Sequence, residues 1–231
     1  MSMQLRWVIG LPLCLLAMTA AAGDPPDAAM GDLSQYGVPA VAGEVELARS
    51  AAPEGIAADA EVLTLGKEGY VTAVHGKNGF VCLVERSWAT DLGDAGFWNP
   101  RMRGPLCYNP PSARSVLPYT FKRTELALAG RSRAEIKAAI GDAMAKHTLP
   151  ALEAGGMTYM MSKEGYLNDK ARNWVPHLMF YFAGTSGADW GADLPGAPPM
   201  LNDQMLAPEG ISVIMVPVTH WSDGTPAPKM R

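Results

Sequence analysis

The sequence lacks the short motifs that identify an enzyme family at once. It has no glycine-rich phosphate-binding loop, no G-x-S-x-G elbow, no H-E-x-x-H helix and no C-x-x-C pair. Each of these motifs holds reactive or metal-binding groups at the spacing that one chemistry requires. The sequence motifs therefore give no support for a nucleotide-binding site, a serine-hydrolase site, a zinc-protease site or a redox-active dithiol.

Positive charge is also sparse. The chain has 19 Lys and Arg against 23 Asp and Glu, which gives a net charge of −4. Its densest basic runs are two short ones, at 101–103 and 131–133. Nucleic acids are bound largely through clustered Lys and Arg side chains on the phosphates. We therefore expect no nucleic-acid partner.

Only one apolar run is long, and it lies near the N-terminus. Residues 7–18 form an apolar stretch after Arg6, and an alanine triplet follows at 20–22. Such a run is too short to span a bilayer, and this order of basic, apolar and small residues is typical of a secretory signal. We predict a signal peptide at 1–22, export to the periplasm or the extracellular space, and no membrane span after cleavage.

Cysteine is scarce, with three in the whole chain. Cys14 falls inside the predicted signal peptide, and Leu13 before it is not the small residue that lipid attachment needs. The exported form then keeps Cys82 and Cys107. A lone pair of cysteines in an exported protein is best explained as a disulfide. We predict a bond between them that tethers the long aperiodic segment 87–118.

The rest of the chain predicts an α+β fold, with a flexible leader at 23–43 and a single domain at 44–231. We expect a mainly antiparallel sheet of five or six strands with one principal helix packed on one face. Apolar or alternating runs bounded by Gly and Pro predict the strands: 61–65, 70–75, 79–86, 157–162, 177–182 and 211–218. Apolar periodicity and end signals predict the helices: 44–52, 120–129 and 132–147.

The strand at 79–86 is the expected centre of the sheet. It follows Asn78-Gly79, the dipeptide that favours a tight hairpin turn. Its residues 80–84 are all apolar, which indicates burial on both faces. We expect the first three strands to form an antiparallel meander, and the segments 87–118 and 183–210 to be loops.

Candidate catalytic residues lie where predicted strands begin or end. Glu85 ends the central strand, His177 opens a later strand and His220 follows the last one. Two histidines and a carboxylate can hold a metal or perform general acid–base chemistry. The alternative for Glu85 is a position at the rim of the core, and the sequence identifies neither a metal nor another cofactor.

Candidate ligand-binding residues are Arg86, Trp88 and Trp174. An arginine can clamp an anionic group, and tryptophans in loops can line a cleft or cover the core. If the strand that ends at Glu85 were the antiparallel neighbour of the one that starts at His177, these residues would share one edge of the sheet. We expect any pocket there, roofed by the segment 87–118.

Three stretches resemble a family of uncharacterised exported bacterial proteins of about this length. They are LARSAAP at 47–53, NGFVCLVER at 78–86 and PHLMFY at 176–181. The resemblance implies a bacterial exported protein with a single domain. It implies no activity, substrate or catalytic residue.

Two functions follow as hypotheses. The first is an exported soluble domain without catalytic activity that binds a small molecule or an envelope protein. The second is a hydrolase or metal-dependent enzyme that uses His177, His220 and Glu85. The distances between these three side chains distinguish the two hypotheses.

Overall fold

The computed structural model describes residues 29–37 and 40–228. The predicted signal peptide lies outside the described residues, as does the first part of the predicted leader. In the described part of that leader most residues are exposed, and Tyr36 is buried. A 3-10 turn at Leu33–Gln35 is followed by Tyr36, whose side chain is buried. Arg86 donates a hydrogen bond of 2.8 Å to the carbonyl of Tyr36, which attaches this point of the segment to a residue 50 positions further along the chain.

The described chain contains five helices and eight strands. The helices are α1 Val41–Arg49, α2 Glu54–Ala57, α3 Pro110–Ser115, α4 Leu117–Leu128 and α5 Arg133–Ala145. The strands are β1 Glu61–Gly66, β2 Gly69–Val74, β3 Val81–Glu85, β4 Gly104–Tyr108, β5 Met157–Met160, β6 His177–Ala183, β7 Met200–Leu206 and β8 Ile211–Pro217. The fold is α+β, with more strands and helices than the sequence predicted.

The strands form one mixed sheet in the order β2-β1-β3-β4-β5-β6-β8-β7. All neighbours are antiparallel except β1 and β3, which are parallel. The predicted meander of the first three strands is therefore wrong. Strand β2 returns along one side of β1 and ends at the edge, while β3 lies on the other side of β1.

The turn before β3 explains this crossing. Lys77 donates its backbone N–H to the carbonyl of Asp59, and the Asn78 side chain donates to the carbonyl of Ile56. The turn is thus bonded to the segment before β1 and not to β2. At Gly76 the chain passes so close to the start of β1 that a Cβ atom would lie 2.1 Å from the Glu61 nitrogen. Only glycine permits that passage.

Two strands lie in segments that were predicted to be loops. Strand β4 contains Gly104 and Pro105, which local rules assign to turns, yet all five of its residues are buried between β3 and β5. Strand β7 is polar at its centre and was missed for that reason. In both cases pairing with neighbouring strands overrides the local preference.

Helices cover both faces of the sheet, which corrects the prediction of one principal helix on one face. Ala48 of helix α1 and the alanines that follow the helix pack in one cluster with Val62, Cys82 and Val84. The opposite face carries Leu63, Leu83 and Leu106 under α3 and α4, and α5 packs on α4. Strand β3 is covered on both faces, as its continuous apolar run predicted.

The predicted capping box and disulfide are both confirmed. Ser132 accepts from the Glu135 backbone N–H, and the Glu135 carboxylate accepts from that of Ser132. Cys82 and Cys107 face each other across β3 and β4, with Cα atoms 4.0 Å apart, and their sulfurs are bonded. In the part of the chain that the structure describes, no helix is long and apolar enough to cross a membrane.

Candidate functional site

Glu85 lies at the end of β3, on the face that α4 covers. The Tyr108 hydroxyl donates to Glu85 Oε1 over 2.6 Å, and the Thr120 hydroxyl donates to the same oxygen over 2.9 Å. Burial raises the pKa of Glu85 above its ordinary value, and these two hydrogen bonds and the nearby Arg123 charge oppose that rise. Beside Glu85 is a cavity of about 20 Å³, which is the space of one water molecule.

Arg123 closes this region on the side of α4. Its Nε and Nη2 donate to the two carboxylate oxygens of Glu209 over 2.7 and 2.9 Å. Its remaining N–H groups donate to the carbonyls of Trp88, Thr90 and Met205. All five guanidinium donors are thereby used, so Arg123 and Glu209 form an internal tie between α4 and the end of β7.

Arg86 is also fully engaged inside the protein. It pairs with Glu44 of α1 over 2.8 Å, and both side chains are buried. It also donates to the carbonyls of Tyr36 and Val84. These contacts tie the N-terminal segment to the sheet and leave the guanidinium no exposed surface for a ligand.

The two candidate tryptophans lie against the core. Trp88 is fully buried, and its indole N–H donates to the Thr124 hydroxyl over 3.0 Å. Trp174 is partly buried against the core under α3 and α4. Neither lines the cavity beside Glu85, and neither lines any of the four larger concavities described below.

The two candidate histidines differ in environment. His177 is buried, and its Nδ1 lies 2.7 Å from the carbonyl of Val175. Burial lowers the pKa of His177. His220 is exposed and bonds to the hydroxyl of its neighbour Thr219.

Strand order separates the predicted catalytic residues. Glu85, His177 and His220 do lie at one end of the sheet, because β3 and β8 end where β6 begins. The expectation that β3 and β6 are neighbours is wrong, since β4 and β5 lie between them. Three strand spacings put the two backbones about 14 Å apart. The small cavity is lined by Glu85 but not by Arg86, His177 or His220. Among the described residues, no group of three His, Cys, Asp or Glu could hold a metal.

The two largest of these concavities differ in lining, since the first contains the side chains of Asp91, Arg133, Lys137 and Gln204 and the second is mainly apolar. A cleft of about 620 Å³ contains Arg133 and Lys137, and Arg133 there donates to the carbonyls of Leu92 and Asp94. A second cleft of about 510 Å³ is lined mainly by apolar residues, and its Tyr119 hydroxyl donates to the carbonyl of Pro150.

The remaining concavities adjoin each other on the two sides of Phe121. One measures about 430 Å³ and the other about 320 Å³, and Tyr70 and Phe121 line both. We call them together the β2 groove. The Tyr70 and Phe121 rings lie 6.1 Å apart. The Tyr70 hydroxyl donates to the carbonyl of Val84 over 2.8 Å, which fixes the floor of the groove. The other apolar lining residues are Leu63, Val81, Leu117, Pro118 and Leu149.

The groove runs beside an uncovered sheet edge. Strand β2 pairs with β1 alone, and within the described chain no other group bonds to the backbone of Gly69–Val74. Val71 is 55% exposed on one face of this edge, and Phe121 is 38% exposed above the other. The strand contains neither charge nor proline, the residues with which proteins usually protect an edge.

Sequence reasoning did not find the β2 groove. Alternating side chains in 70–75 predicted a strand, but only the strand order makes it an edge. Tyr70 forms the floor of the groove and Phe121 overhangs it, and these two residues are 51 positions apart in the sequence.

No protein-family model matches this chain, and neither a curated protein nor a solved structure matches it.

Proposed function

We propose that this protein is an exported, non-catalytic binding domain that takes an extended polypeptide segment of a partner at the β2 edge. The single observation that carries the proposal is the bare edge of β2 with an apolar residue exposed on each side of it. The buried disulfide supports the exported location, because such bonds persist in oxidising compartments.

Strand addition is the physical basis of this proposal. An unpaired edge presents a row of N–H and C=O groups that an extended peptide can pair with, and pockets beside the edge then select the side chains. A strand added next to β2 would bring one set of alternate side chains under Phe121. The other set would point to the face that exposes Val71.

The hydrolase alternative stays a prediction. It requires Glu85 to act with His177 or His220, and the sheet places two strands between β3 and β6. The contacts of Glu85 with Tyr108 and Thr120 give its carboxylate a place in a core hydrogen-bond network. The 620 Å³ cleft adjoins the other sheet edge at Gln204 of β7, but the backbone N–H groups of Gln204 and Met205 are already bonded to the Asn202 side chain. The β2 groove is therefore the best supported site.

A display library of random ten-residue peptides tests the proposal on the disulfide-bonded protein. We expect enriched sequences to bind the protein and to lose at least tenfold in affinity for the Val71→Lys and Phe121→Ala variants. A lysine blocks strand pairing at an edge, and Phe121→Ala removes the apolar overhang. Every second residue of a bound peptide can be N-methylated in two alternative patterns. One pattern removes the N–H groups that pair with β2 and should abolish binding, and the other should not.

Matched variants at another surface control for general effects. Leu194 is 61% exposed and Trp190 is 39% exposed, close to the values for Val71 and Phe121. Leu194→Lys and Trp190→Ala should leave peptide affinity unchanged. A library that enriches no sequence would overturn the proposal, and so would binding that Val71→Lys and Phe121→Ala leave intact.

A further inference from the structure

The charges along the β2 groove are predominantly negative. Four charged side chains line it: Glu61, Glu68, Lys122 and Glu125. Lys122 and Glu125 pair with each other, with Nζ 3.0 Å from the carboxylate. Neither Glu61 nor Glu68 has an ion-pair partner among the described residues. The groove therefore carries two uncompensated carboxylates.

These two carboxylates lie toward opposite ends of β2. Glu68 directly precedes the first residue of the strand, Gly69. Glu61 belongs to β1, but its carboxylate accepts a hydrogen bond of 2.8 Å from the Thr72 hydroxyl, which holds it near β2. The Tyr70–Phe121 pair lies between them. The groove thus presents acid, aromatic and acid in sequence along the edge.

Glu68 and Thr72, whose hydroxyl holds the Glu61 carboxylate, are four positions apart in the sequence. Side chains of a strand alternate between faces, and residues four positions apart lie on one face about 14 Å from each other. The residue midway between them points the same way and would meet Tyr70 and Phe121. Long basic side chains have the reach to approach each carboxylate from an added strand.

A second copy of this chain is a poor occupant. Antiparallel pairing of β2 with its own copy would bring Glu68 of one chain beside Glu61 of the other. Like charges placed in register destabilise such a pair. The charge pattern selects a different partner.

From these observations we infer that the β2 groove takes an extended segment with Lys or Arg at two positions four apart and an apolar residue midway between them. The inference rests on the proposed function and adds the chemistry of the partner. Charge gives the groove its selectivity, and the backbone of β2 and the aromatic pair give it the capacity to bind.

Three synthetic peptides that differ only in charge test this inference. They are Ser-Lys-Thr-Val-Thr-Lys-Ser, the same sequence with Gln at both Lys positions, and the same with Glu there. In low salt we expect the Lys peptide to bind about tenfold more tightly than the Gln peptide and the Glu peptide to bind most weakly. The preference should shrink as salt screens the carboxylates.

Variants of the protein identify the source of the preference. In the double variant Glu61→Gln and Glu68→Gln, the preference for Lys should fall below threefold while the Gln peptide keeps its affinity. Glu54 and Glu164 are exposed and line neither concavity, so Glu54→Gln with Glu164→Gln is the matched control and should keep the preference.

The outcomes separate this inference from the proposed function. Equal binding of the three peptides, with loss of all binding in Val71→Lys, would overturn the charge pattern and leave strand addition intact. Binding of none of them, together with a library that enriches nothing, would overturn both. A dimer at micromolar concentration that Val71→Lys dissociates would also overturn the inference, because the groove would then hold a second copy.

Discussion

The two edges of the sheet are treated differently by the rest of the chain. At the β7 edge, side chains form hydrogen bonds with backbone groups of the strand. Asp193 accepts the N–H of Leu201, the Asn202 side chain accepts those of Gln204 and Met205, and Arg123 donates to the carbonyl of Met205. At the β2 edge, the described chain supplies no such partner.

This difference separates a protected edge from an available one. Proteins manage free edges because these promote unwanted pairing. One edge of this sheet is managed in the usual way, with polar side chains that bond to its backbone groups. The other has no such side chains within the described chain and keeps a run of Tyr, Val and Thr beside an aromatic groove, although its pairing with β1 also shifts register once. We take the contrast as the main argument that β2 has a partner.

The largest expected effect comes from breaking the tie that anchors the protected edge. Arg123→Ala removes the buried partner of Glu209 and the donor to Met205, so we expect a loss of about 3–5 kcal/mol of unfolding free energy. Urea unfolding measures it. Lys122→Ala, one position earlier in α4 and in an exposed pair with Glu125, should cost less than about 1 kcal/mol. An equal cost for both variants would contradict the role of Arg123.

The next effect concerns the centre of the sheet, away from both edges. Replacing Cys82 and Cys107 with alanine removes a bond that closes a separation of 25 residues. We expect this to cost about 3 kcal/mol, measured against the oxidised protein without reductant. Peptide binding at β2 should survive under conditions in which the double variant is folded. Loss of binding in the folded variant would mean that the centre and the β2 edge are not independent.

The pH dependence of stability tests whether Glu85 is a core group. Burial raises its pKa in the folded protein above the ordinary value near 4.5, so the folded state holds the proton more tightly than the unfolded state. This contribution is fully present below the unfolded pKa and is lost as pH rises through the folded pKa. Glu85→Gln should therefore become more stable relative to the wild type as pH rises from 4 to 7.

Thermal unfolding of both proteins across this range measures the effect, and peptide affinity supplies a second readout. Glu85→Gln should leave peptide affinity unchanged, because Glu85 does not line the β2 groove. A stability difference that stays constant with pH would contradict the raised pKa.

The smallest effect on stability is expected at the available edge itself. Val71→Lys changes an exposed side chain that is outside the core clusters, so unfolding free energy should change by less than about 0.5 kcal/mol. Binding should nevertheless be lost. A destabilisation similar to that of Arg123→Ala would show that the β2 edge is part of the protected core.

The sequence predicted the elements with strong local signals. The apolar run 80–84, the capping box at Ser132 and Glu135, and the two cysteines all correspond to features of the structure. The strand and the capping box were predictable because residues adjacent in the chain determine them. The disulfide was predictable because Cys82 and Cys107 are the only cysteines left after the predicted signal peptide.

The candidate site depended on strand order, which local patterns do not determine. The crossing at Gly76 moves β3 to the far side of β1, and the buried strand β4, with Gly104 and Pro105, looks like a loop in sequence. Both facts decide that Glu85 and His177 are separated and that β2 is an edge. Arg86 looked like a ligand clamp because its partners Glu44 and Tyr36 lie more than 40 residues away.

Amide hydrogen exchange in the presence and absence of the Lys peptide tests the central claim most directly. Without peptide, amides of β2 that do not pair with β1 should exchange on the order of tenfold faster than the bonded amides of Gln204 and Met205. With saturating peptide, protection should increase in 69–74 and stay unchanged in β7. Protection that appears in the 620 Å³ cleft at Arg133 and Lys137, with none in β2, would contradict strand addition.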